Sequence, residues 1–388
     1  MKIPISYNIR NLIARRTTTI MTALGIALTV AVLLSVFALV EGLRTSLAST
    51  GDPLNLMVTR KGATAELNSS MTPEQFQVIK VKPGIAKLPN GEPMASLELV
   101  TVVVLESPAN PSGINITMRG LTQTGVAMRE SVKITEGRLF QPGKREIVVG
   151  KGVAKRYSTA RIGSKIDLGR GQWEVVGIMD GGRSAANSEI FCDLPQLASD
   201  QNREAGLSSV LLRATDEVSK QALINDLTSD RRLNVDAVSE RSYYESQTSA
   251  AAPIQFLGIF VAIIMSIGSS FAAMNTMYAA VARRGPEIGT LRVLGFSKPG
   301  ILTSFMIESL LLSLLGGVVG CLLVLPLNNF TTGVGSFVTF SEITFEFHIT
   351  PGIMLSGIIF ALIMGIIGGL FPAASAARKQ ILAALKQS

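Results

Sequence analysis

Hydrophobic positions in this chain collect into four long runs, Ile20 to Val40, Pro253 to Ala282, Ile301 to Leu327 and Ile353 to Ala377. Each reaches the roughly 20 residues that carry an α-helix across a bilayer. The stretch between the first and second runs has another rhythm. Leu97 to Leu105, Glu146 to Val149, Lys165 to Leu168 and Trp173 to Ile178 are rich in Val, Ile and Leu between Gly or Pro punctuation, as strands are. Ser219 to Leu227 reads as a helix before a strand-like Leu233 to Val238, and Ser239 to Ala252 is expected to form a stalk. The pattern predicts a membrane α-helical protein with four transmembrane helices and a large mixed α+β domain between helices 1 and 2. Its expected divisions are an amphipathic segment (1–19), helix 1 (20–42), the inserted domain (43–252), helix 2 (253–282), a short loop (283–300), helix 3 (301–327), a second short loop (328–352), helix 4 (353–377) and a tail (378–388).

The loop between helices 2 and 3 has its own helix grammar. Pro286 suits the first helical position, where a missing N–H costs nothing, and Gly295 suits the left-handed position just past a helix end. About nine residues of helix fit between them. Glu287 and Arg292 complement the helix dipole, while Ile288, Leu291 and Leu294 recur at intervals of three and are expected to share a docking face.

Charge sets the expected orientation. Lys2, Arg10, Arg15 and Arg16 precede helix 1, Arg283, Arg284, Arg292 and Lys298 lie in the 283–300 loop, and Arg378, Lys379 and Lys386 follow helix 4, whereas 328–352 holds no Lys or Arg. Basic residues are retained on the cytoplasmic side, so both termini and the 283–300 loop are expected inside and residues 43–252 outside. The domain itself is nearly balanced, with 25 basic and 23 acidic residues between Leu43 and Ala250. The net charge of +8 therefore belongs to the membrane-proximal segments and points to anionic headgroups rather than nucleic acid.

Catalytic constellations are missing. A phosphate loop needs Gly, four residues, then Gly-Lys-Ser or Gly-Lys-Thr; the nearest approach, Gly143-Lys144-Arg145, lacks the leading Gly and the hydroxyl. These residues are not expected to hydrolyse ATP. His348 is the only histidine, near Glu342 and Glu346 in the second loop, too few groups for a His-rich metal site or a Ser-His-Asp hydrolase. No metal site is expected. Cys192 and Cys321 fall in the inserted domain and in helix 3, so they are not expected to pair. Glu308 is a carboxylate inside an apolar run, where a charge costs roughly 2.5–3.5 kcal/mol on insertion scales. It is expected to pair with Arg283, Arg284 or Arg292, or to line a proton or substrate path. Small residues recur at spacings of four, Gly316 with Gly320, Ser313 with Gly317, and Gly357, Ala361, Gly365 and Gly369, the spacing that lets helix backbones approach.

Several stretches resemble a known family. Glu287-Ile288-Gly289, Leu291-Arg292 and Leu294-Gly295, followed by Phe305 through Gly317, resemble the coupling helix and third span of ABC transporter permeases of the MacB and FtsX type. Asn8 to Leu12, the Ile134 to Phe140 and Ile147 to Gly150 pieces, and the closing Gly369 to Arg378 resemble the start, outer core domain and end of MacB-like permeases. The resemblance implies a standalone permease subunit, non-catalytic, served by a separate ABC ATPase that holds ATP and magnesium. It implies a pairing with a second permease copy or paralogue, and a coupling site at Pro286, Glu287, Ile288, Gly289, Leu291, Arg292, Leu294 and Gly295. A periplasmic adaptor is a further candidate partner. Export of an amphipathic molecule, lipoprotein or peptide is the expected role, and mechanical activation of a cell-wall hydrolase in the manner of FtsX is the alternative.

Overall fold

The computed structural model describes residues 5–107, 110–168, 170–248, 252–336 and 340–378. Lys2, Lys379, Lys386 and Ile381 to Leu385 lie outside the described residues. Two compact units emerge, a helical one built from 1–41, 253–330 and 347–388, and an inserted one built from 42–252 and 331–346. The chain opens with α1 (Ile5–Ala14) and α2 (Arg16–Ala48). Within the helical unit, α1 buries Asn8, whose Oδ1 accepts from Ser304 Oγ at 2.8 Å, and leaves Ile9 and Ile13 exposed one turn apart. That apolar pair suits a helix lying in a membrane interface.

The inserted unit follows as β1 (Asn55–Arg60), α3 (Pro73–Ile79), β2 (Ala95–Ser107), β3 (Asn110–Leu121), α4 (Gln123–Ala127), β4 (Lys133–Gly137), β5 (Glu146–Gly150), α5 (Lys151–Arg156), β6 (Lys165–Leu168), β7 (Gly171–Asp180), β8 (Glu189–Asp193), α6 (Leu194–Asp200), β9 (Ser209–Arg213), α7 (Glu217–Ser229), β10 (Val235–Ser239) and α8 (Glu240–Gln247). Among the described residues these ten strands form one sheet in the order β10-β1-β9-β2-β3-β8-β5-β7-β4, with β6 paired to β7. The long β2–β3 hairpin, registered from Leu99 opposite Gly120 to Leu105 opposite Ile114, joins the two halves. Every residue of β5 and β8 is buried, as expected of strands covered on both faces. Trp173 is fully buried among Val149, Val175 and Ile190 in the main apolar core. Local grammar is also visible at α3, where Thr72 Oγ1 accepts from Gln75 N while Gln75 Oε1 accepts from Thr72 N, a capping box.

A charged knot lies where the halves of this sheet meet. Arg119 on β3 is buried and donates to Glu66 at 2.7 and 2.9 Å, to Glu98 at 3.0 Å and to Glu189 at 2.9 and 3.1 Å. Burial pushes the Glu66 carboxyl up, and the Arg119 charge and hydrogen bonds outweigh it and hold the group below its ordinary range. The expected stalk is a correction. Residues 240–247 form α8, and Glu240, Tyr243, Tyr244 and Gln247 point into the inserted unit at spacings of three and four. The Tyr243 hydroxyl accepts from Glu66 N at 2.9 Å, so this segment is packed rather than free. Residues 249–251 of it lie outside the described residues.

The chain returns to the helical unit as α9 (Ala252–Arg283), α10 (Gly285–Val293) and α11 (Lys298–Val324), makes a hairpin of β11 (Thr331–Gly335) and β12 (Glu342–Glu346), and ends in α12 (Pro351–Arg378). Among the described residues four helices are long and apolar enough to cross a membrane: Arg16–Ala48, Ala252–Arg283, Lys298–Leu327 and Pro351–Arg378. The shortest, of 28 residues, spans about 42 Å, more than the ~30 Å hydrocarbon thickness. The β11–β12 hairpin, which the sequence pattern leaves as a bare loop, belongs to the inserted unit. Ser188 Oγ donates to Thr344 O at 2.8 Å and accepts from Thr344 N at 2.7 Å, and Tyr157 donates to Glu342 at 3.1 Å.

Candidate functional site

The site is built on α10 and the helix ends around it. Gly285 and Pro286 open the helix, and Gly295 lies just beyond its end with φ +91°. Gly295 N donates to Arg292 O at 3.2 Å and Phe296 N to Leu291 O at 3.1 Å, the paired bonds of a Schellman terminus. A left-handed residue is needed there, and glycine supplies it without a Cβ penalty.

The inward side of α10 is Gly285, Ile288 and Gly289, all buried, with Arg292 half-buried on the same stripe. Ile288 packs with Met277, Val281, Ile301, Phe305, Ala373 and Ala376. The expected docking face therefore needs correction: Ile288 belongs to the protein's own core. Steps of three residues drift by about 60° each on a helix, so Ile288 and Leu294 diverge by about 120° and cannot serve one flat surface. Glu287, Thr290, Val293 and Leu294 are exposed, Val293 and Leu294 at 63% and 66%, and Leu291 and Pro286 lie at the margin. Arg292, expected in the coupling site, turns back instead: its Nη1 donates to Phe296 O at 3.2 Å and caps its own helix end.

Behind this stripe sits Arg284, buried at 3% exposure. Its Nη1 donates to Glu308 Oε2 at 2.8 Å and its Nε to Glu287 Oε2 at 3.2 Å. The guanidinium lies over the rings of Tyr7 and Phe305, each centroid 5.1 Å away, and the Tyr7 hydroxyl donates to Glu287 Oε2 at 3.0 Å. One cation thus ties α1, α10 and α11 together. Of the three arginines expected to meet Glu308, Arg284 is the one that makes the ion pair. Tyr7 was invisible to sequence reasoning, since nothing local announces a contact across 280 positions.

The small residues sort onto two faces. A Cβ on Gly316 or Gly320 would strike α2 at Ile26 and Ala23 or at Val30 and Ala27, and one on Gly357 would strike Leu34 of the same helix. Gly317 faces Ala361, while Gly365 and Gly369 face Ser313 and Ser309, and Ser309 Oγ donates to Gly365 O at 2.6 Å. Elsewhere, Glu342 is engaged by Tyr157 and Arg156 and Glu346 by Lys155, and Cys192 and Cys321 are free and buried.

Comparison with known proteins now has a geometry to meet. Residues 19–230, more than half of the chain, match the MacB-like periplasmic core domain, and residues 259–381 match the FtsX-like permease C-terminal domain. The chain belongs to the MacB/FtsX-type ABC transporter permeases. It is 25% identical over 406 residues to the uncharacterized ABC transporter permease YknZ of Bacillus subtilis, covering 97% of this chain and 96% of that one. It is 22% identical over 394 residues to the macrolide export ATP-binding/permease protein MacB of Acinetobacter baylyi, covering 96% of this chain and 58% of the relative. The permease thus spans less than two thirds of the length of such MacB relatives. The extracellular domain of YknZ from Gram-positive bacteria superposes at a TM-score of 0.36 with 15% identity, over 48% of this chain and all of that one, a likeness too loose to argue from. Membership makes this a multi-pass membrane permease whose inserted unit is its extracytoplasmic segment.

Proposed function

We propose that this permease converts the ATP cycle of a separate ABC ATPase into motion of its extracytoplasmic domain, with α10 as the cytoplasmic contact. The observation that carries the reading is the division of α10: an exposed stripe of Glu287, Thr290, Val293 and Leu294 backed by the buried Arg284–Glu308 pair. Such a helix transmits force because it cannot yield toward its own bundle without breaking an ion pair and the Ile288 packing. Both termini lie on the cytoplasmic side by the distribution of basic residues, in a bacterial inner membrane. In this reading the ATPase partner holds ATP and magnesium, and these 388 residues contribute the contact rather than a phosphate loop. A second permease copy or paralogue completes the machine, and export of an amphipathic substrate fits relatives named for macrolide export.

Leu294→Asp tests this reading, because a charge there meets the partner's apolar groove while the permease's own core stays untouched. The expected result is normal insertion and thermal stability, with loss of the copurifying ATPase or of its stimulation by the permease. Unchanged ATPase association and turnover would remove α10 as the contact.

A further inference from the structure

Within the extracytoplasmic unit, a cavity of about 160 Å³ opens between the segment after α2, the loop after α4, β8 and α8. Its wall carries Asp52, Glu130, Glu189 and Glu240 against Arg129 and Arg213, an excess of negative charge. The arginines are already used: Arg129 is bound to Glu98 at 2.7 and 2.8 Å, and Arg213 pairs with Asp52 at 3.1 Å and Glu130 at 2.9 Å. Glu240 differs. It is 3% exposed, and its Oε2 accepts only from neutral donors, Asp52 N at 3.0 Å and Asn55 Nδ2 at 2.8 Å. No Lys or Arg among the described residues forms an ion pair with it. Burial pushes its carboxyl above the ordinary range, more than the charge of the nearby Arg129 and the two hydrogen bonds pull it down.

Two further features mark the place as shaped. Gly51, at φ +90°, passes so close that a Cβ would lie 2.7 Å from the Glu240 carboxylate, so the backbone wraps the acid as only glycine allows. The Ser184 hydroxyl, on a residue 5% exposed, lines the same cavity with no hydrogen-bond partner. A buried acid with no ion pair of its own, its nearest arginine committed to Glu98, and an orphan hydroxyl beside one void are what a missing donor-rich cation leaves.

We propose that this cavity binds a small organic cation through its ammonium group, with Glu240 as counterion, Ser184 as hydrogen-bond acceptor and Phe191 with Val132 against its alkyl part. The size suits an amine of several heavy atoms and excludes a folded peptide. Such a ligand would reside at the junction of the two halves of the sheet and bias how they pack. This site is independent of the α10 reading, and either stands if the other fails.

The test uses the full-length permease in detergent or nanodiscs, with butylammonium as probe and 1-butanol as its uncharged counterpart. Calorimetric titration should show saturable binding of butylammonium and none of butanol at millimolar concentrations. Glu240→Gln keeps the acceptor oxygen for Asp52 N and Asn55, so it should fold with an unchanged melting profile and lose affinity by roughly tenfold or more, a charge-assisted hydrogen bond's share. Glu130→Gln, at a side chain 73% exposed, should change little. Equal binding of the two probes, no binding of either by the unmodified chain, or undiminished affinity in Glu240→Gln would each overturn the assignment, the first two without reliance on any variant's folding.

Discussion

Arg284 is the residue on which the helical unit turns, because it neutralises the acid in the third span, carries two aromatic rings and holds Glu287. Both members of the pair are about 4–5% exposed at their side chains, so solvent screens them little. A buried pair of this kind is costly to break from one side, about 3–5 kcal/mol, because the survivor stays charged and dry. Arg284→Met is accordingly expected to lower the permease's thermal unfolding midpoint sharply. Arg284→Met combined with Glu308→Gln should recover much of the loss, since it leaves no orphaned charge. A double variant as unstable as the single one would show that Arg284 acts through its rings rather than through Glu308. The sequence points to Glu308 as needing a partner and narrows that partner to three arginines. Choosing among them requires knowing which way residue 284 turns as α9 ends, and that is settled by Phe305 and by Tyr7 of α1, contacts that no local pattern encodes.

At the scale of the element, α10 was legible in its limits and misleading in its faces. Proline at the start and glycine after the end are local chemistry, and the helix runs nine residues, Gly285–Val293, with the proline second rather than first and the glycine two positions past the end. Which side faces the bundle depends on where α11 and α12 deliver Phe305 and Ala373, and that is tertiary information. The same division holds in the extracytoplasmic unit. Buried strands such as β5 announce themselves by composition, whereas α8, with two tyrosines and several charged residues, reads as a polar tether until Glu66 and Arg119 are placed opposite it. The terminus of α10 gives a clean test of the local part. Gly295→Val forces a β-branched residue into a left-handed conformation, although the space around that position is open. The expected outcome is an inserted, assembled permease whose α10 end frays, seen as faster amide exchange at Leu291 to Phe296 and weaker coupling to the ATPase. Gly295→Asn should be tolerated, because asparagine adopts the left-handed region more readily.

For the whole molecule the decisive feature is connectivity. The chain passes between the helical and extracytoplasmic units four times, after residues 41, 252, 330 and 346. Two of those passages exist only because the β11–β12 hairpin is part of the extracytoplasmic unit, so all four long helices lead directly into it. A domain inserted at one point would follow only the helices that flank it; this one is strapped to α11 and α12 as well. The hairpin is held by more than its own strands. Ser188 closes both backbone groups of Thr344, and a Cβ on Gly152 would collide with the Thr344 side chain, so the strap lies tight against the short 3₁₀ turn Ala185–Ser188 and α5 of the core. If the straps carry motion, slack in them should uncouple the outer domain while sparing the inner contact. Inserting Gly-Ser repeats after both Phe330 and Glu346 is therefore expected to leave insertion, ATPase association and basal ATP turnover intact. Nucleotide-dependent distance changes between spin labels on the extracytoplasmic unit should then shrink toward those of the nucleotide-free state. Full-amplitude changes with both straps slackened would mean that α2 and α9 alone drive the domain, and that the hairpin serves only to seal it.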